Sequence, residues 1–142
     1  MIFDQARRTS NDKIAGVLRL LLGFVFSMAG ILKVVVPFLG EAFAGQLNAA
    51  NIPFQDLSLF VVPIVETVLG ITLLFGIHVR LSAVVATGIM LVATYVHVVA
   101  DDPSLFPLQP VEPIGPLVLL LGLAYLLWRG GGAWSIDLRE VH

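Results

Sequence analysis

The stretch LSLFVVPIVETVLGITLLFGI, Leu57 to Ile77, carries a single charge, Glu66, near its middle. At a rise of ~1.5 Å per residue, a helix of this length crosses a hydrocarbon core of about 30 Å. A carboxylate at that depth costs roughly 2.5–3.5 kcal/mol on insertion scales, so it requires a partner or a task inside the protein. Three more apolar runs surround it. Ile14 to Val36 contains Arg19 and Lys33, Leu81 to Ala100 contains His97, and Ile114 to Trp128 carries no charge. The chain therefore reads as all-α, a polytopic membrane protein. It forms one domain over residues 1–142, an antiparallel four-helix transmembrane bundle with spans near 14–36, 57–77, 81–100 and 114–128.

Composition leads to the same place. With 58% hydrophobic and 13% charged residues and a mean hydropathy of +0.96, too little charge is present to cover a soluble domain of this size. Cysteine is absent, which excludes disulfides, zinc–thiolate sites, iron–sulfur clusters and a Cys-x-x-Cys redox pair. No intrinsic cofactor is expected, and any redox role must come from a partner or a bound organic molecule. A net charge of −2 without a basic, aromatic-interleaved patch gives no reason to expect nucleic acid.

The fourth run is short and begins among Pro110, Pro113 and Pro116. Proline is tolerated at a helix start, and the segment Gly130 to Ala133 could prolong the apolar stretch past a snorkelling Arg129. Arg7, Arg8 and Lys13 precede the first run, Arg80 lies in the link 78–80, and Arg129 and Arg139 follow the last. The loops 37–56 and 101–113 contain no Lys or Arg. Positive charge on the inside then predicts cytoplasmic termini and external longer loops. Within the first of these loops, Leu39, Phe43 and Leu47 recur at helical spacing, which predicts a short amphipathic helix in the outer interface. The first run reads as a span and not a cleaved signal, because it is too long for an h-region and contains Arg19 and Lys33.

The polar residues of the spans are the candidate site. On a helical wheel Arg19, Gly23, Phe26, Gly30 and Lys33 fall within about 80°, so one face of the first span must look inward. By axial rise Glu66 lies about 9 Å from both Arg19 and Lys33, and either pair would explain its presence. In the third span Ala83, Ala86, Thr87, Met90, Ala93, Thr94 and His97 form a second inward face, suited to close packing or a lined cavity. His97 is the one span residue that titrates near neutral pH. The plainer readings are a structural ion pair for Glu66, snorkelling for Arg19 and Lys33, and a carbonyl-bonded imidazole for His97. Tyr95, Trp128 and Trp134 fit an interfacial aromatic belt. A b-type haem would need two facing histidines in the bundle, whereas His78 falls in a link and His142 in the tail. A cavity holding a carboxylate, cations and an imidazole suits a quinone, another amphipathic ligand, or a proton-coupled substrate.

The order Arg19-x3-Gly23, Gly30-Ile31-Leu32-Lys33, Leu47 to Pro53 as Leu-x-x-x-x-Ile-Pro, Glu66-x3-Gly70-x5-Gly76-x3-Arg80, His97 and Gly132-Ala133-Trp134-Ser135-Ile136-Asp137 resembles the DoxX family of small four-helix membrane proteins. The likeness runs from about Arg19 to Asp137. It implies a multi-pass protein of a prokaryotic cytoplasmic membrane, and a subunit that meets quinone or assembles with an oxidoreductase, as in the thiosulfate:quinone oxidoreductase that gave the family its name. In that setting Glu66 and His97 would handle the quinone head or a proton, Arg19 and Lys33 would orient the carboxylate, and the chain would at most be a non-catalytic subunit. The acidic, proline-rich loop 101–113 offers nothing to draw thiosulfate from outside. Two other functions fit the same residues: a small proton-coupled transporter built on Glu66, and a scaffold without ligand. A protein partner or a homo-oligomer is expected in each case.

Overall fold

A computed structural model describes residues 4, 5 and 7–141; Met1, Ile2, Phe3, Ala6 and His142 lie outside that description. Four apolar helices form an antiparallel bundle: α1 (Lys13–Val35), α3 (Gln55–Phe75), α4 (Val79–Val99) and α5 (Ile114–Arg129). Two short helices, α2 (Pro37–Ala49) and α6 (Ile136–Val141), close its two ends, and no strand occurs among the described residues. The first three apolar helices are each long and apolar enough to cross a membrane. With 16 residues, α5 spans only ~24 Å.

Local chemistry sets the boundaries. Asp12 accepts hydrogen bonds from the Ile14 and Ala15 amides at 2.9 and 3.3 Å and starts α1, as a short acidic side chain does at an N-cap. Gly76, at φ 73°, ends α3 in the left-handed conformation with its amide bonded back to Thr72 and Leu73, a C-cap that glycine adopts without steric cost. The helices α3 and α4 begin two residues earlier than their apolar runs suggest, because Gln55, Asp56, Val79 and Arg80 are helical as well.

One expectation needs correction. Gly130 to Ala133 do not extend α5. Gly130 (φ 83°) and Gly132 (φ 71°) turn the chain back beneath the bundle, and Arg129 pairs with Asp12 at 2.9 Å instead of snorkelling. The short amphipathic helix expected in the first long loop is α2, with Phe43 and Leu47 buried where it packs against α1, α3 and α4.

The helices α1 and α3 pack most extensively, followed by α4 and α5. Gly23, Gly30 and Gly70 permit the first approach: a Cβ on Gly23 would meet the Leu74 amide at 2.8 Å, and one on Gly70 would run into the Ser27 backbone. The pairs α1–α5 and α3–α4 close the ring. Leu22, Phe26, Leu69, Leu73, Leu123 and Leu126 fill the half nearest the chain termini, the terminal half. At the opposite, loop face, Ala50, Val96, Ala100 and Phe106 form a smaller cluster.

Candidate functional site

The interior polar residues divide between these two halves. At the terminal face Arg19 is fully buried. Its guanidinium donates to Leu73 O at 2.5 Å, Leu74 O at 2.7 Å, Gly131 O at 2.9 Å and Ala133 O at 3.3 Å. Two of these carbonyls lie in the last turn of α3, where intrahelical partners run out, and two belong to the returning tail. The tail carries its own counter-charge. Buried Asp137 acts on the Arg19 charge and accepts from the His78 and Val79 amides, both at 2.9 Å. It thus caps α4, whose N-cap residue His78 supplies no side-chain cap of its own. Ser135 accepts from Leu138 N at 3.2 Å and donates to Gly132 O at 2.8 Å. This end is a closed polar plug. Arg19 is therefore not the partner of Glu66, and its expected place beside the carboxylate is corrected: the tail carbonyls hold it at the other end.

Glu66 pairs with Lys33. The Lys33 ammonium donates to both carboxylate oxygens, at 2.7 and 2.9 Å, and lies 4.8 Å from the centre of the Phe43 ring, a cation–π contact. Glu66 is 3% exposed, so the ion pair is what makes its burial tolerable. His97 sits at the same end. Its Nδ1 lies 3.0 Å from Val111 O, and its ring packs at 4.2 Å against Phe106. A carbonyl only accepts, so Nδ1 carries the proton and Nε2 is left as an acceptor in the neutral ring. Nε2 has no partner among the described residues, yet it is not sealed away with the buried orphan atoms.

Lys33, Glu66 and His97 line one cavity of about 740 Å³ in the loop half of the bundle. Its walls are mainly apolar and come from α1, α2, α3, α4, the loop 107–109 and the start of α5. Gln46 closes one side and donates to Leu105 O at 2.6 Å. The volume falls within the few-hundred to ~1,000 Å³ range of organic-ligand sites, which combine apolar walls with a few convergent polar groups. Phe43, Gln46 and Val111 belong to this site although sequence reasoning did not single them out as site residues. For Phe43 the helical spacing with Leu47 gave a signal of burial, but none of its place over Lys33. Tyr95, Trp128 and Trp134, the aromatic belt candidates, are all well exposed.

Residues 14–98 match the DoxX family. The chain is 33% identical to an uncharacterized membrane protein of Mycobacterium tuberculosis, in an alignment covering 86% of this chain and 78% of the relative. No solved structure matches it. The family match covers more than half of the chain and includes Arg19, Lys33, Glu66 and His97, and the protein belongs to the DoxX family of membrane proteins.

Proposed function

We propose that this DoxX protein is a quinone-contacting subunit of a membrane oxidoreductase, with the loop-half cavity as the head-group site. One observation carries the reading: a ligand-sized, mainly apolar cavity inside a membrane bundle has a buried ion pair, Lys33 with Glu66, and an imidazole, His97, among its few polar lining groups. A lipid-soluble ligand with a polar head suits apolar walls that carry a few hydrogen-bonding groups. Lys33 uses two of its three N–H donors on Glu66 and keeps the third for a carbonyl oxygen. His97 Nε2 and the Glu66 carboxylate can each accept a hydrogen bond from a hydroxyl, the contact along which a proton would pass. A quinone, when bound, supplies two-electron, two-proton chemistry, and the oxidoreductase partner supplies the electrons. The chain's own residues hold, orient and exchange protons with the head. Positive residues at the terminal face support placing it in the cytoplasm of a prokaryotic cell, with the cavity toward the outer leaflet.

Proton-coupled transport by Glu66 would require access from both sides. The packed terminal half and the Arg19 plug favour a one-sided binding pocket instead. To test the proposal, the protein is isolated in mild detergent, its retained lipids are extracted and identified by mass spectrometry, and a quinone analogue is titrated into nanodisc preparations. Wild type should retain quinone and bind the analogue saturably, and Glu66→Gln and His97→Ala should each weaken binding by roughly ten-fold or more. Wild type with neither retained quinone nor saturable binding would overturn the proposal.

A further inference from the structure

Lys33, Glu66 and His97 line only part of the cavity. From His97 its wall descends along α4 through Val92 and Gly88 to Val85, twelve residues or ~18 Å of helix. Val85, Gly88 and Val92 fall within about 60° on one flank of α4. All three are exposed in the isolated bundle, at 41% for Val85 and 49% for Val92, as is Val25 on α1, 41% exposed, which lines the same cavity. These positions lie in the middle stretches of helices long and apolar enough to cross a membrane.

Gly88 separates this flank from the packed seams. At Gly23, Gly30 and Gly70 an added Cβ would collide with the facing helix, whereas at Gly88 it would meet nothing within 4 Å. Helix packing therefore does not require a glycine there. It costs a helix interior about 1 kcal/mol relative to alanine, and what it leaves is an unfilled groove in the wall of the same cavity.

We infer that the ligand reaches the cavity sideways from the bilayer, and that its apolar tail lies along α4 in the groove over Gly88 while its head meets Lys33, Glu66 and His97. The inference rests on the quinone reading and adds to it the ligand class, a long-tailed membrane quinone, and the path by which it enters. Gly88 is a specificity-determining position for the tail and has no part in holding the head.

Binding of two benzoquinones with the same head, one tail-less and one with a ten-carbon tail, is measured in nanodiscs for wild type and Gly88→Phe. Melting temperature and helical content confirm assembly of the variant. The tailed quinone should lose roughly ten-fold or more in affinity, while the tail-less one stays within about two-fold. Equal weakening of both, or of neither, would overturn the tail path and leave the quinone reading standing. Equal affinity of wild type for the two compounds would also overturn it, and would make a bilayer lipid the occupant of the groove. Failure of wild type to bind either would overturn the quinone reading itself and this inference with it. Should Gly88→Phe not assemble, Gly88→Leu poses the same question with a smaller side chain.

Discussion

Arg19 and Lys33 lie on one face of one helix, yet the two ends of the bundle treat them differently. At the terminal end the planar guanidinium spreads its donors over four carbonyls, and the tail adds Asp137, so the Arg19 charge is taken up by the protein itself. At the loop end the lysine, a point charge on a flexible stem, is 22% exposed at its side chain and shares a cavity with an imidazole nitrogen that has no partner among the described residues. Arginine suits the fixed, multidentate role and lysine the adjustable one. The difference teaches that charge within a membrane span is not by itself a sign of ligand binding: the same bundle uses one cation for architecture and the other at a cavity.

The largest expected effect comes from breaking the architectural end. Arg19→Ala would leave four carbonyls and Asp137 without their buried cation, and removal of one partner from such a network costs about 3–5 kcal/mol. Thermal unfolding in detergent should show the loss, and Arg19→Lys should recover little of it because one ammonium cannot span the four carbonyls. A variant as stable as wild type would erase the contrast between the two ends.

A smaller effect is expected at the loop end. Glu66→Gln strands Lys33, but that side chain is already partly exposed and can move toward the loop face, so a loss of about 1–3 kcal/mol is expected. Glu66→Gln combined with Lys33→Met should recover part of it. Strict additivity in that cycle would mean the ion pair contributes nothing to stability.

The smallest effect concerns acid. Asp12 is held below the ordinary carboxylate pKa, chiefly by the Tyr125 hydroxyl, with further help from the Ala15 amide, Arg129 and the Ile14 amide against a desolvation penalty. A lowered folded-state pKa means that the stabilisation is present above the unfolded value of about 3.9 and is lost as pH falls through the folded value. The melting temperature of wild type should therefore fall below about pH 4 more steeply than that of Asp12→Asn. Parallel curves would show that the cap carries no linked proton.

Much of this was legible in the sequence. The spans follow from apolar runs of membrane length, and the interior position of Glu66 follows from the cost of placing it in lipid. The choice of Lys33 over Arg19 was not legible, because both lie about 9 Å from Glu66 along the axis. That choice depends on Gly131 and Ala133, more than a hundred residues from Arg19, turning back to take the guanidinium. Gly130 and Gly132 permit that turn, but read along the chain they look like a weak continuation of α5. The role of Asp137 as a cap for α4 was hidden for the same reason. The cavity itself left no local mark, since empty space arises from how distant helices fail to meet; Gly88 carries no signal until the absence of a facing atom is seen.

The central claim is that the loop half binds a quinone. Photolabelling with an azidoquinone in nanodiscs, followed by peptide mapping, tests it most directly. Labelling should concentrate on cavity-lining peptides of α3 and α4, around Val62 to Glu66 and Val85 to His97, and excess unlabelled quinone should suppress it. Labelling spread over lipid-facing residues such as Phe60 and Leu121, unaffected by competitor, would contradict it.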